Sequence, residues 1–140
     1  FFTFKLNGMT TTIKNEGKKI DVLHFEHIVW IKELEFYKNE LKVFNKRLTE
    51  VSDRYTSTEV LARLEQFQNK FIVQNEVADI LRHDLKRHEN ELLEIAKDSP
   101  VALDHKVLKD HPDMRERMES FVIIYRQLRD EFLEYLSETM

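Results

Sequence analysis

Cysteine is absent from this sequence of 140 residues, and glycine and proline each occur only twice. Without cysteine the chain has neither disulfide bonds nor thiolate ligands for a metal, which is compatible with a reducing compartment. Both glycines precede residue 18, so no glycine-rich phosphate loop is present. The few serines fall at expected caps and turns, without a nucleophile elbow. We therefore predict a cytoplasmic protein that is not an enzyme and carries no cofactor.

Long apolar runs and a strong excess of one charge are also missing. No stretch approaches the roughly 18 consecutive apolar residues of a membrane-spanning helix. The 22 basic and 26 acidic side chains are interleaved, and the formal net charge is −4. A small basic group, Arg82, Lys86 and Arg87, is diluted by acidic neighbours. These features predict that the protein binds neither nucleic acid nor membranes.

What the sequence does contain is a heptad repeat that runs from residue 57 to residue 97. Core residues spaced alternately three and four positions apart keep one stripe of a helix turned toward one partner. Two polar residues interrupt the stripe: Gln74, either a buried amide that fixes the register or a rim residue, and His88. The core positions of this predicted helix are Ser57, Val60, Leu64, Phe67, Phe71, Gln74, Ala78, Leu81, Leu85, His88, Leu92 and Ile95.

A first helix is predicted from about Asp21 to Val51, with leucines at one core position and mostly aromatic residues at the other. A second apolar stripe follows an adjoining face, so this helix should contact two neighbours rather than one. Its core positions are Ile20, Leu23, His27, Trp30, Leu34, Tyr37, Leu41, Phe44, Leu48 and Val51. The second stripe consists of Val22, Val29, Phe36 and Val43.

Polar residues and prolines separate the predicted helices. Residues 52–55 form a polar break, and Thr56 with Glu59 matches a capping box at the start of the second helix. Ser99 and Pro100 are typical of a helix start, so residues 101–109 are predicted as a short helical turn. Pro112 then begins the last helix, which ends near residue 137. Its core positions are Met114, Met118, Phe121, Tyr125, Leu128, Phe132 and Tyr135.

These elements predict an all-α fold, an antiparallel up-down-up three-helix bundle with long, coiled-coil-like helices and the short helical turn between helices 2 and 3. Residues 20–140 form the single domain, and residues 1–19 form a flexible N-terminal arm. Residues 1–8 are interpreted either as non-native or as upstream of the natural start. The apolar patch at residues 121–125 and the unequal helix lengths favour a homo-oligomer, with a dimer as the default.

The six histidines are the one group of residues in the sequence that points to a chemical site. Folding the first two helices about Arg54 brings His24 and His27 level with His83 and close to His88, while His105 and His111 follow in the connector. Imidazoles and carboxylates on facing helices are the usual ligands of a metal site in a bundle. The candidate ligands are His24, His27, His83, His88 and Asp84. The competing interpretations are that His27 and His88 are hydrogen-bonded core residues, or that the cluster makes one bundle end sensitive to pH.

The sequence pattern of two segments, residues 36–44 and residues 88–93, resembles that of uncharacterised small helical-bundle proteins of Bacteroidota-type bacteria. The resemblance implies a standalone bacterial cytoplasmic protein and brings no activity with it. Together with the continuous heptads, it leads us to predict a non-enzymatic interaction or scaffold protein that self-associates and presents a helical surface to a protein partner. The alternative function is a metal-binding bundle with a histidine and carboxylate site.

Overall fold

The computed structural model describes residues 12–98 and 105–139, and the side chains of residues 20–97 and 109–139. It shows three α-helices: α1, Thr12–Ser52; α2, Thr58–Asp98; and α3, His105–Thr139. The predicted all-α three-helix bundle is confirmed. None of these helices, over the residues described, has the length and hydropathy that crossing a membrane requires.

Contacts between the helices define their relative directions. Between α1 and α2, Glu35 pairs with Arg82 and His24 pairs with Glu89, so residue numbers rise on one helix as they fall on the other. Between α1 and α3, hydrogen-bonded side chains lie 84 to 89 positions apart along the whole interface, as in parallel helices. The α2 and α3 helices again run in opposite senses, since Asp84 pairs with Arg117 and Lys70 with Glu131.

The core contains the predicted heptad positions of all three helices. Of the predicted positions, Phe44, Val60, Gln74, Ile95 and Tyr135 are half-buried, Ser57 is exposed, and the rest are buried. Gln74 lies at the rim of a surface groove between α2 and α3, which favours the rim interpretation of this residue.

Aromatic rings fill the part of the bundle nearest the α1–α2 turn. Phe132 of α3 packs against Phe44, Phe67 and Phe71, with ring centroids 4.9 to 5.5 Å apart. Rings of this size separate the helices more widely than a two-stranded leucine seam would. Aromatic residues at the predicted core positions of all three helices therefore meet in this part of the core.

The predicted helix boundaries need three corrections. Residues 12–19, predicted as part of the flexible arm, belong to α1, because extending an existing helix costs far less than starting one. Residues 1–11 lie outside the described part of the chain. The predicted capping box is wrong, because the first hydrogen bond of α2 runs from Leu61 N to Ser57 O and makes Ser57 the N-cap.

The third correction concerns the start of the last helix. Pro112 was predicted to begin it, but α3 starts seven residues earlier, at His105, and Pro112 lies within it. Proline within a helix lacks the N–H that would bond to the carbonyl four residues before it. In α3 this loss falls in the second turn, where the helix continues past one missing bond. Residues 105–109 of the predicted short turn thus belong to α3, whereas residues 99–104 lie outside the described part.

Candidate metal centre

Three histidines meet in the bundle core, one from each helix. His27 of α1, His88 of α2 and His111 of α3 are 0%, 4% and 3% exposed. Their ring centroids lie 4.8, 5.1 and 5.8 Å apart. One nitrogen from each ring can be chosen so that the three atoms lie within 4.8 Å of one another. Each histidine occupies a core heptad position, so the folding of the bundle brings the three rings to one level.

Apolar layers enclose the three-histidine cluster on both sides. Trp30 stacks on His111 with ring centroids 5.2 Å apart and an interplanar angle of 25°. On the other side, Ile20, Leu23 and Leu92 form a separate apolar cluster. The histidine layer therefore interrupts an otherwise apolar core, where a polar atom without a partner destabilises the fold.

A buried carboxylate lies behind His111. Glu26 is 3% exposed, and its Oε1 atom lies 3.2 Å from Nε2 of His111. Arg115 donates from its guanidinium to both oxygens of Glu26, at 2.9 and 3.1 Å. The other ring nitrogen of His111, Nδ1, lies 3.2 Å from Nε2 of His27 and points into the cluster. Glu26 thus fixes the orientation of His111 from outside.

A second carboxylate lies behind His27. Oε2 of Glu89 is 3.5 Å from Nδ1 of His27, a distance too long for a full hydrogen bond. Glu89 also lies 2.8 Å from Nδ1 of His24, at the edge of the bundle. His27 and His111 therefore each face a carboxylate with one nitrogen and the other histidine with the second.

Burial and neighbouring charges shift the pKa values of three groups in or beside the cluster. Burial lowers the pKa of His111 to about 4, more than the nearby Glu26 carboxylate raises it. Burial and the neighbouring His27 also lower the pKa of His88. Burial raises the pKa of Glu89, but the His27 and His24 imidazoles beside it outweigh this effect, so its pKa is lowered overall. At neutral pH His88 and His111 are therefore uncharged, and each ring carries a nitrogen lone pair.

With both rings neutral, His27 and His111 carry two N–H groups between them. Donation from Nε2 of His111 to Glu26 and from Nε2 of His27 to Nδ1 of His111 uses both groups, so Nδ1 of His27 is left with a lone pair 3.5 Å from Oε2 of Glu89. Among the described residues, Nδ1 of His27 has no hydrogen-bond partner, in keeping with this shortage of N–H donors.

A metal ion at the centre would remove this shortage. His27 and His111 could then donate their N–H groups outward to Glu89 and Glu26 and offer their inner nitrogens to the metal. His88 would supply the third ligand, since its buried Nε2 has no hydrogen-bond partner among the described residues. Carboxylates that orient metal-bound imidazoles in this way are a common outer shell of metal sites.

The spacing of one pair of inner nitrogens fits such an ion. Two nitrogens bound to a tetrahedral zinc ion at 2.0–2.1 Å lie roughly 3.3 Å apart. Nε2 of His27 and Nδ1 of His111 are 3.2 Å apart. One nitrogen of His88 lies within 4.8 Å of a nitrogen of each of the other two rings, which makes His88 the candidate third ligand.

The structure brings together only some of the predicted ligands. His27 and His88 lie in the cluster. His24 lies at its edge and contacts Glu89 instead. His83 and Asp84 lie outside it, because they are on the flank of α2 where Asp84 pairs with Arg117 of α3.

His111 is the member of the cluster that sequence reasoning missed, because Pro112 was interpreted as the start of a helix. The side chain of His105, the other histidine placed in the connector, lies outside the described side chains. The signal for His111 was available, since it precedes Met114 by three positions and so continues the core stripe of α3 backward. Glu26 carried no comparable signal, because its burial depends on which side of the α1–α2 pair α3 occupies.

Compared with protein-family models, with curated proteins and with solved structures, the chain matches none of them. The resemblance to small helical-bundle proteins of Bacteroidota-type bacteria therefore stays a prediction.

Proposed function

We propose that this protein is a metal-binding helical bundle that holds one divalent transition-metal ion between His27, His88 and His111. The observation that carries this proposal is the convergence of three buried imidazoles, one from each helix, with one nitrogen of each ring within 4.8 Å of the others. Imidazole ligands suit zinc, copper, iron and nickel. Three protein nitrogens leave one position of a tetrahedral zinc ion for a further ligand.

Removal of one ligand tests this proposal. We expect untagged wild-type protein to bind one Zn²⁺ or Co²⁺ ion per chain, and the His88→Ala variant to bind at least about 100-fold more weakly, since losing a ligand exceeds the 10–100-fold effect of losing an outer-shell partner. Isothermal titration calorimetry and elemental analysis measure both quantities. The matched control is His83→Ala, because the side chain of His83 is 79% exposed and lies outside the cluster. Equal affinity in both variants, or no binding by the wild type, would contradict the proposal.

The carboxylate behind His111 gives a second test of the same site. We expect Glu26→Gln to weaken metal binding by about 10–100-fold, because a neutral amide no longer favours the His111 tautomer that donates outward. The matched control is Glu94→Gln, an exposed position on α2. Titration of both variants with Co²⁺, monitored by visible absorption, gives the affinities. An unchanged affinity in Glu26→Gln would show that Glu26 does not orient a metal ligand.

A non-enzymatic interaction role that relies on self-association is a second proposal. Exposed apolar side chains on α1 and α3 favour it, notably Phe36, Val43 and Ile123. It is compatible with metal binding, because these side chains lie outside the histidine cluster.

A further inference from the structure

One surface of the bundle, formed by α1 and α3, exposes apolar side chains on both helices. We define the α1/α3 face as Val29, Phe36 and Val43 of α1 with Val122 and Ile123 of α3. Phe36 is 58% exposed, Val43 64% and Ile123 67%, whereas the two remaining valines are half-buried. A groove of about 320 Å³ runs between the helices beside Val122 and Ile123. Groups of exposed apolar side chains on neighbouring helices are typical of an interaction surface.

The centres of the two apolar segments lie at the same height along the bundle. Hydrogen-bonded partners on the parallel helices α1 and α3 are 84 to 89 positions apart. Val122 and Ile123 follow Phe36 by 86 and 87 positions. A single line across the face, perpendicular to the helices, therefore passes through Phe36 and between Val122 and Ile123.

We propose that the α1/α3 face is the interface of a homodimer whose two-fold axis follows this line. A two-fold interface brings the same patch of both copies together, so the patch must complement itself. An axis across the helices places α1 against α1 and α3 against α3 of the second copy, in antiparallel directions. This orientation makes a definite prediction of which residues face each other.

Charges on α3 are self-complementary about this axis. When Val122 faces Ile123 of the second copy, Glu119 faces Arg126, and Glu116 faces Arg129. By the same count, position 115, an arginine, faces position 130, an aspartate. Each of the three pairs forms twice, and every pair joins opposite charges. Complementary charges fix the orientation and register of an interface more than they add to its affinity.

Within the chain, two of these arginines already have acidic partners. Arg115 is bonded to Glu26, and Arg129 lies 3.7 Å from Glu40. The exposed pair Glu119 and Arg126 is therefore the strongest determinant of register. Both side chains also line the groove between α1 and α3.

The stripe on α1 is self-complementary about the same axis. With Phe36 facing Phe36 of the second copy, Val29 faces Val43, and Lys32 faces Glu40. The apolar stripe therefore meets itself along three layers, and the aromatic pair lies on the axis. This second set of matches is independent of α3, because it follows from the sequence of α1 alone. Burial of these apolar groups would provide the driving force for association.

The oligomeric state tests the interface directly. In the presence of a chelator, which excludes dimers bridged by metal, we expect analytical ultracentrifugation to show a dimer for the wild type. Ile123→Glu should weaken dimerisation about tenfold or more, because it places two like charges near the axis. The matched control is Ile80→Glu, on α2, where Ile80 is 58% exposed. A monomeric wild type, or an equal effect of both variants, would overturn the proposal.

A charge exchange tests the register. Glu119→Arg alone should weaken the dimer, because the introduced guanidinium of each copy would then face the guanidinium of Arg126 in the other. Adding Arg126→Glu reverses both charges of the pair and should restore the wild-type dissociation constant. Circular dichroism confirms that each variant keeps its helix content. A double variant as weak as the single one would contradict the pairing of residues 119 and 126, whatever the metal site binds.

Discussion

The free energy of unfolding of the Phe132→Ala variant is expected to be about 3–5 kcal/mol lower than that of the wild type. Phe132 is 0% exposed and packs against three other phenylalanine rings, two of them edge to face. Its removal leaves a cavity that the long helices cannot close, because the rings around it are held by both α1 and α2. A loss of this size corresponds to a melting temperature about 10 °C lower or more for a chain of this length.

The neighbouring residue provides the control for Phe132. Leu133 is 47% exposed, so Leu133→Ala should change the free energy of unfolding by only about 0.5 kcal/mol. Urea unfolding monitored by circular dichroism measures both variants. A similar loss at both positions would show that the aromatic layer does not hold the bundle together.

The metal-free protein should become less stable as the pH falls below neutrality. The pKa of His111 is about 4 in the folded chain and 6.5 when unperturbed. Between these values the unfolded chain binds a proton that the folded chain does not, so acid favours unfolding. Above pH 6.5 the contribution of neutral His111 to stability is fully present, and it is lost as the pH falls toward 4. By pH 5 the loss from this group alone is about 2 kcal/mol.

The groups that face His111 come from all three helices. Glu26 and His27 lie on α1, His88 on α2, and Arg115 on α3. Burial, together with His27 and Arg115, lowers the pKa of His111 more than the Glu26 carboxylate raises it. His88, whose pKa is also lowered, changes stability in the same direction.

Denaturant unfolding with a chelator at pH 7.5 and pH 5 measures the pH effect. The His111→Gln variant should lose a large part of the pH dependence, because glutamine does not titrate. His83→Ala should keep it, since the side chain of His83 is 79% exposed. The lowered pKa values of Asp84 and Glu89 add to the loss chiefly at lower pH. Equal stability of the wild type at both pH values would contradict the assignment of neutral, buried imidazoles.

The heptad pattern was sufficient to predict most of the core. Residues such as Leu34, Phe67 and Tyr125 are buried as their spacing indicates. A long helix removes a wide apolar stripe from water by packing that stripe against other helices. Helix ends were less predictable. The arm predicted to reach residue 19 and the helix start predicted at Pro112 both overlap residues that lie inside helices.

The candidate site was predictable only in part, for a physical reason. The spacing of the core positions predicted His27 and His88 as candidate ligands. His24 and His83 were predicted because they lie at a similar height on the α1–α2 pair. Which flanking residues become buried depends on the side of the α1–α2 pair on which α3 packs, and spacing within one helix does not determine that choice. Glu26 is consequently buried, whereas Asp84, which also pairs with α3 through Arg117, keeps 20% of its side chain exposed.

Because the three imidazoles come from three different helices, an ion bound among them would connect all three helices directly. Any ligand that binds the folded chain alone raises its stability by mass action, by about 2.7 kcal/mol at a free concentration 100 times the dissociation constant. The concentration of free metal would then set the fraction of the protein that is folded. Depletion of the metal would increase the unfolded fraction and so shorten the lifetime of the protein.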